Sequence, residues 1–214
     1  VFCNTKRETK DVAATLANDG FSVVALHGDL EQRDRDITLM QFANKSASIM
    51  VATDVAARGL DIEALDMVVN YEFAYDTEVH IHRIGRTGRA GSRGAAYTFY
   101  TYEDDYKVKL LEEYLDHEIV SEGLPPENLL DTFPTQPKMV TLQIDGGKKH
   151  KVRPGDILGA LTGEDGIQGS EVGKIKITEF RSYVAVDRKV AKRALHKITN
   201  GKLKGRNYRA WEMR

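Results

Sequence analysis

The stretch HRIGRTGR, His82 to Arg89, decides how the rest of the chain is read. On a helix, His82, Arg86 and Arg89 stand at i, i+4 and i+7, which gathers an imidazole and two guanidiniums on one face. A guanidinium is a planar fork that matches phosphate oxygens and keeps its proton. Two forks aimed the same way point to a polyphosphate or a transferring phosphoryl group. A solvated basic helix face is the alternative on this stretch alone.

Upstream of it, VFC (Val1–Cys3) reads as a strand, and a helical pattern with Val12, Ala13 and Leu16 follows Thr5 and ends at Gly20. Ser22–Leu26 reads as a second strand, Asp29 as the N-cap of a helix through Phe42, Ser48–Ala52 as a third strand and Asp66–Tyr71 as a fourth. Downstream, Ala95–Tyr100 predicts a fifth strand and Glu103–Glu118 a last helix. Alternation of this kind implies right-handed βαβ crossovers and an α/β fold whose parallel sheet is flanked by helices. Ligands of such sheets bind beyond the carboxyl ends of the strands, here Asn4-Thr5, His27-Gly28-Asp29 and Thr53-Asp54. Gly28 permits close backbone approach, and hydroxyls with helix N-termini are natural phosphate ligands, so a phosphodiester chain fits along this edge. Thr5, Asp29 and Thr53 are equally suited to plain helix capping.

The formal net charge of −1 conceals a division. Residues 1–137 carry 13 Lys+Arg against 24 Asp+Glu, a balance of −11, and residues 138–214 carry 18 against 8, a balance of +10. Two domains are expected, the basic one being the candidate for a polyanion. Residues 121–138 (SEGLPPENLLDTFPTQPK) hold four of the five prolines and read as a linker, giving 1–120, 121–138 and 139–214 as the expected domain plan. No apolar run approaches the ~18 residues of a membrane span. The single Cys3 has no disulfide partner in the chain. Core packing in a reduced, cytoplasmic setting is the expectation for it. Because the chain begins inside a strand-like run without an initiator Met, a piece of a longer protein is expected.

In the basic part, Met139–Ile144 alternates like a strand, and a glycine pair leads into the cationic run KKHKVR, Lys148–Arg153. Pro154 opens a short helix through Leu161, Val172–Ile177 and Tyr183–Val186 read as strands, and Asp187 caps a helix with Val190, Ala191, Ala194, Leu195 and Ile198 on one face. Tyr208–Trp211 completes a βαββαβ order, the plan of a small α+β RNA-recognition motif. Its aromatic signature is incomplete: Tyr183 is kept, Arg181 replaces a second aromatic, and Thr141 and Gln143 occupy the first strand. Arg181 offers a guanidinium plane for stacking, and the basic loops offer phosphate contacts. Solvated charged loops are the plainer alternative for Lys148–Arg153.

VFCNTK (Val1–Lys6), HGDLEQRDR (His27–Arg35), ATDVAARGLDI (Ala52–Ile62) and HRIGRTGR resemble motifs IV, IVa, V and VI of the DEAD-box RNA helicases, in order and at ordinary spacing. The resemblance implies the C-terminal RecA-like lobe of an RNA-dependent ATPase. The phosphate-cradling G-x-x-x-x-G-K-[ST] string and the Asp-Glu-Ala-Asp string belong to the other lobe and occur nowhere in this sequence. ATP and Mg2+ are therefore implied, bound mainly through a missing N-terminal lobe, and the chain alone is expected to be inactive. By the same resemblance Arg86 and Arg89 reach the γ-phosphate, with Arg89 as the arginine finger, since phosphoryl transfer spreads negative charge that a guanidinium stabilises. His82 would couple the lobes, Asp61 would accept a ribose hydroxyl, and Thr5, Gly28, Gln32, Arg35 and Thr53 would grip RNA. Arg58 would act as a strut beside a carboxylate.

A second resemblance joins residues 144–163 (IDGGKKHKVRPGDILGALTG) and 201–206 (GKLKGR) to the accessory domain of one bacterial group of DEAD-box proteins. It implies recognition of a hairpin of large-subunit ribosomal RNA and a role in assembly of that subunit. The residues expected to bind RNA in the tail are Lys148, Lys149, Lys151, Arg153, Arg181, Tyr183, Lys202, Lys204 and Arg206. The expected partners are RNA and the missing lobe, with no membrane, and the chain is expected to be a monomer. A non-enzymatic RNA-binding adaptor that keeps the lobe as a scaffold is the rival from another class, though paired phosphate forks have no use in it.

Overall fold

The computed structural model describes residues 1–58, 65–88 and 93–213. The chain divides into two compact units, Val1–Leu39 with Ile49–Thr135 and Met40–Ser48 with Gln136–Arg214.

The first unit is built on five parallel strands, β1 (Phe2–Cys3), β2 (Val23–Leu26), β3 (Ile49–Thr53), β4 (Met67–Asn70) and β5 (Ala95–Thr98), in the order β2-β3-β1-β4-β5. Helix α1 (Lys6–Asn18) starts where Thr5 and Glu8 form a capping box, each side chain accepting the other's backbone N–H at 3.1 Å. That reciprocal cap satisfies two donors the first turn would leave open. Ala13 then packs with Cys3 and Val51, ringed by Val12, Leu16, Val23 and Ile49. Cys3 is fully buried, as core packing requires, and burial, then the nearby Glu8 carboxylate, pushes its thiol up to about 11. The remaining helices are α2 (Gln32–Ala43), the short α3 (Asp54–Ala57), α4 (Thr77–Ile84) and α5 (Asp105–Leu115). Among the described residues no helix is long and apolar enough to cross a membrane.

Two sequence expectations need correction here. Asp29 does not cap α2, which begins three residues later at Gln32; its carboxylate instead accepts from Lys6 at 2.5 Å and Lys10 at 3.0 Å. More important, HRIGRTGR is not one helix. α4 ends at Ile84, and Gly85 closes it by donating to Ile81 O. Arg86 and Thr87 follow in tight turns, donating to Arg83 O and Ile84 O, and Gly88 takes a left-handed φ of +65°. Thr87 is drawn into a parallel bridge with Leu65, whose N–H donates to Arg86 O at 3.1 Å. Two glycines, poor helix formers, together with that bridge, outweigh the helical spacing of the charged residues.

The second unit holds β6 (Met139–Ile144), α6 (Pro154–Thr162), β7 (Val172–Ile177), β8 (Ser182–Asp187), α7 (Ala191–Asn200) and β9 (Ala210–Glu212). This is the βαββαβ order expected, with an antiparallel sheet ordered β7-β8-β6-β9. Val140, Leu142 and Ile144 alternate along β6 onto one face, where Val184, Val186, Ile157, Leu161, Ala194 and Ile198 complete the core. The period-2 pattern of the strand and the 3.6-residue stripe of α7 meet there. Asp187 caps a short 3-10 turn, Arg188–Val190, by accepting from Lys189 N, and α7 follows one turn later than expected.

Candidate functional site

Because β1 lies between β3 and β4, the residues that follow these three strands, Asn4, Asp54 and Tyr71-Glu72, emerge side by side at the carboxyl edge. One side chain joins them. Arg83, on the inner face of α4 and 1% exposed, donates to Asp54 Oδ1 and Oδ2 at 2.7 and 2.6 Å, to Asn4 Oδ1 at 2.7 Å and to Glu72 O at 3.1 Å. Its guanidinium also lies 5.4 Å from the centre of the Phe2 ring. Four of the fork's five N–H groups are thus spent on carboxylate and carbonyl oxygens, the geometry at which Arg excels. Asn4 N donates to Glu72 Oε1 at 3.2 Å, and burial, then the adjacent Glu8 carboxylate, raise the Glu72 carboxyl above its ordinary value.

Among the described residues a strut is seen at Arg83; Arg58 is exposed at the end of α3, and the carboxylates that next follow it in the chain lie outside the described residues. Sequence reasoning missed Arg83 because it stands one residue off the His82 stripe. One step along a helix turns a side chain by about 100°, from solvent to sheet. The usable signal was the carboxylate: Asp54 follows directly on a buried strand, where a charge demands a partner.

With Arg83 turned inward, His82 is exposed in the last turn of α4 and Arg86 is half-exposed just beyond its cap. The Arg86 guanidinium there complements the negative end of the helix dipole and takes no part in the strut's hydrogen bonds. Arg89 and Asp61 lie outside the described residues. Beside this helix, His80 is 1% exposed and stacks on Phe73 with ring centres 4.8 Å apart. Burial, then the Arg83 charge, lower its pKa to about 4, so at neutral pH it is an uncharged core residue.

The expected RNA edge falls into two pairs. Thr5 and Gly28 are neighbours, because Lys6 and Lys10 reach across to Asp29. A Cβ built on Gly28 would meet nothing nearer than Lys6 Cδ at 3.9 Å, so the fold itself does not require glycine there. Asp29 is held down to about 2 by the hydrogen bonds from Lys6 and then Lys10. His27, 7% exposed beside Gly28, keeps an Nδ1 with no hydrogen-bond partner among the described residues. In the second pair, Arg35 donates to Ala56 O at 2.5 Å and so joins α2 to α3, whose N-cap is Thr53. Thr5 and Thr53 do serve as caps, Thr53 Oγ1 accepting from Ala56 N at 3.4 Å, while Gln32 bonds Asp36 along α2.

In the tail, three loops are fastened into one basic surface. Lys148 N and Lys149 N donate to Thr178 O and Glu179 O in the β7–β8 turn at 2.9 and 3.0 Å. Gly147 makes this possible, since a Cβ there would lie 2.4 Å from Thr178 O. Lys204 Nζ donates to Lys151 O at 3.1 Å, adding the turn that carries Lys202 and Arg206. Lys148, Lys149, Lys151, Arg153, Lys202, Lys204 and Arg206 are all exposed, and Arg181 is half-buried with Nε 3.7 Å from Asp145. Tyr183 is the exception. It pairs in register with Gln143 and Lys176 but is 4% exposed and has contacts of its own, which removes its ring as an open stacking surface.

Chemically, the first unit offers cations at a helix end and a polar strand edge, and the second a cationic platform. Both suit phosphate-bearing ligands. Among the described residues no group of three or more His, Cys, Asp or Glu stands ready for a metal ion, and Asp54 is committed to Arg83. These residues do not fit Mg2+ on their own.

Residues 1–91 match the family model described as the helicase conserved C-terminal domain, and residues 141–212 the model described as the DbpA RNA binding domain. The chain is 49% identical over 209 residues to the Escherichia coli ATP-dependent RNA helicase DbpA, across 98% of this chain and 45% of that protein. It is 32% identical over 226 residues to the Bacillus subtilis protein of the same name, across 96% and 47%. It thus spans about half the length of these relatives. Among solved structures, the yeast DEAD-box splicing factor Prp28 matches with a TM-score of 0.52 at 37% identity, over 56% of this chain and 28% of that one. E. coli SrmB, in its complex with the regulator of ribonuclease activity A, matches with a TM-score of 0.55 at 28% identity, over 64% and 76%. With the parallel lobe, the motif order and the basic tail on the same chain, the protein belongs to the DEAD-box RNA helicases, as a DbpA-like C-terminal region in which a helicase lobe is followed by an RNA-binding domain.

Proposed function

We propose that the chain is the C-terminal half of an RNA-dependent ATPase that remodels structured RNA, directed to a hairpin of large-subunit ribosomal RNA by its tail. The observation that carries this is the division of labour between the arginine inside α4 and the one just past its cap. Arg83 fixes the helix end to three strand ends, and Arg86 stands half-exposed just past it with no side-chain hydrogen bond or ion pair among the described residues. An anion-binding side chain on a rigid mount is what stabilisation of a transferring phosphoryl group needs.

ATP, bound between this lobe and an N-terminal one, would supply the phosphoryl group whose transfer drives the cycle. Arg86 and Arg89 then face its γ-phosphate, Asp61 its ribose, and His82 the acidic motif of the opposing lobe. Thr5, Gly28, Gln32, Arg35 and Thr53 line the edge along which RNA phosphates and sugars run, and such contacts position a strand without reading its bases. Closure of two lobes on both ligands bends the strand, so binding energy becomes conformational work. The tail's exposed lysines and arginines raise the local concentration of the lobe at one RNA structure.

The test is reconstitution. Alone, the chain should hydrolyse no ATP above background with or without RNA. Joined to a P-loop-bearing N-terminal lobe, it should show RNA-stimulated hydrolysis, and Arg86→Ala should lower that rate by roughly 10²-fold or more. A near-normal rate in the variant would refute the phosphate role.

A further inference from the structure

The β7–β8 turn carries an aromatic side chain that no motif assigns. Thr178 and Arg181 close it: Thr178 N donates to Arg181 O at 2.8 Å, Thr178 Oγ1 does the same, and Arg181 N donates back to Thr178 Oγ1 at 3.2 Å. Glu179 and Phe180 form the tip. Tips of this kind favour Gly, Asn or Asp, and a phenylalanine contributes nothing to the turn itself. Phe180 is nevertheless 59% exposed. Its ring is not left to wander, because Lys149 Nζ lies 4.8 Å from the ring centre, and Lys149 is itself fixed by its N–H to Glu179 O. The ring therefore has one face under a cation, and the loop that supplies this lysine also carries Lys151 and Lys148, whose Nζ lies 3.8 Å from the Glu179 carboxylate at the tip.

A single exposed apolar side chain is ordinary on a protein surface. A pre-ordered aromatic plane inside a cationic cluster, on a domain whose sheet-face tyrosine is buried, has a more specific use. Single-stranded nucleic acid is gripped where positive charge tracks the backbone and aromatic rings stack bases. We propose that Phe180 is a stacking platform for one unpaired RNA base, with Lys149 steadying the ring from one face and reaching a flanking phosphate. The tail would thus carry its base-stacking aromatic at a hairpin tip, displaced from the sheet face. The proposal rests on the tail being an RNA binder and adds to it a base-level contact.

The experiment uses the full chain and a panel of RNA hairpins with the fluorescent base 2-aminopurine placed at one loop position at a time. Phe180→Ala should weaken binding by roughly 5- to 150-fold, the range of one base–aromatic stack, with the salt dependence unchanged because no charge is lost. Phe180→Trp should bind as the native chain does, and fluorescence at one loop position should be quenched by the native protein and not by Phe180→Ala. Phe180→Leu should bind as weakly as alanine; native affinity in the leucine variant would mean apolar packing without stacking and would overturn the proposal. So would native affinity in Phe180→Ala while the unmodified chain binds. If the unmodified chain binds no hairpin of the panel, the RNA-reading role of the tail fails first and this contact with it.

Discussion

Replacing Arg83 with alanine removes a side chain that ties α4 to the ends of β1, β3 and β4. Asp54 loses both its prongs, Asn4 Oδ1 and the Glu72 carbonyl lose their donor, and Phe2 loses its cationic neighbour. Breaking one side of a buried ion pair costs about 3–5 kcal/mol, because the remaining charge stays uncompensated. Asp54 is 24% exposed, so water recovers part of that, and about 3 kcal/mol is the expected loss. Set against the roughly 5–15 kcal/mol that stabilises a whole domain, this is a large fraction. For a domain of this size it lowers the melting temperature of the lobe by about 10 °C or more. Arg83→Lys should recover little, since an ammonium cannot span both carboxylate oxygens and the amide at once. Thermal and urea unfolding followed by circular dichroism would measure it, at low and high salt, and the deficit should survive salt because the pair is buried. A loss below about 1 kcal/mol in Arg83→Ala would refute the strut, for surface pairs are worth no more than that.

Two further outcomes are expected. Gly147→Ala should push the Lys148–His150 turn off the β7–β8 turn, since its Cβ would sit 2.4 Å from a carbonyl oxygen; RNA affinity should fall together with tail stability, and an unchanged melting curve would contradict the close packing described. Because the folded-state pKa of His80 is lowered from 6.5 to about 4, the unfolded chain takes up a proton in that window that the folded chain refuses. Stability should therefore fall as pH drops from 6.5 towards 4, by at most about 3 kcal/mol, and His80→Gln should flatten that part of the curve; equal slopes in both proteins would rule His80 out as the cause.

The architecture was legible where a local pattern and its punctuation agreed. Thr5 announces a helix start and the alternation along Met139–Ile144 announces a strand, and both stand where those signals put them, although Thr141 and Gln143 on the other face of the strand are buried as well. Legibility failed where a tertiary contact overrode the pattern. The i, i+4, i+7 spacing of His82, Arg86 and Arg89 is sound arithmetic for a helix, but the bridge from Thr87 to Leu65 and the two glycines end that helix at Ile84. Asp29 has the chemistry of a cap and is instead taken by two lysines from a different helix. In the site, the residues that the motifs propose for a ligand were named, whereas the residue that ties their elements together was not. Arg83 and Asp54 are 29 positions apart, and only the strand order brings them together. Phe180 escaped for the opposite reason: it obeys no periodicity, and its setting depends on a glycine turn and a lysine some 30 positions upstream.

The Arg83 contacts have a mechanical meaning. Two of its acceptors are the side chains of Asn4 and Asp54, and the chain neighbours of those two residues are Thr5 and Thr53, one from each pair along the polar edge. Three positions past the same arginine is Arg86. One guanidinium thus ties the end of the helix that precedes Arg86 to the loops that carry Thr5 and Thr53, so a tilt of α4 would strain the same hydrogen bonds that seat the strand ends.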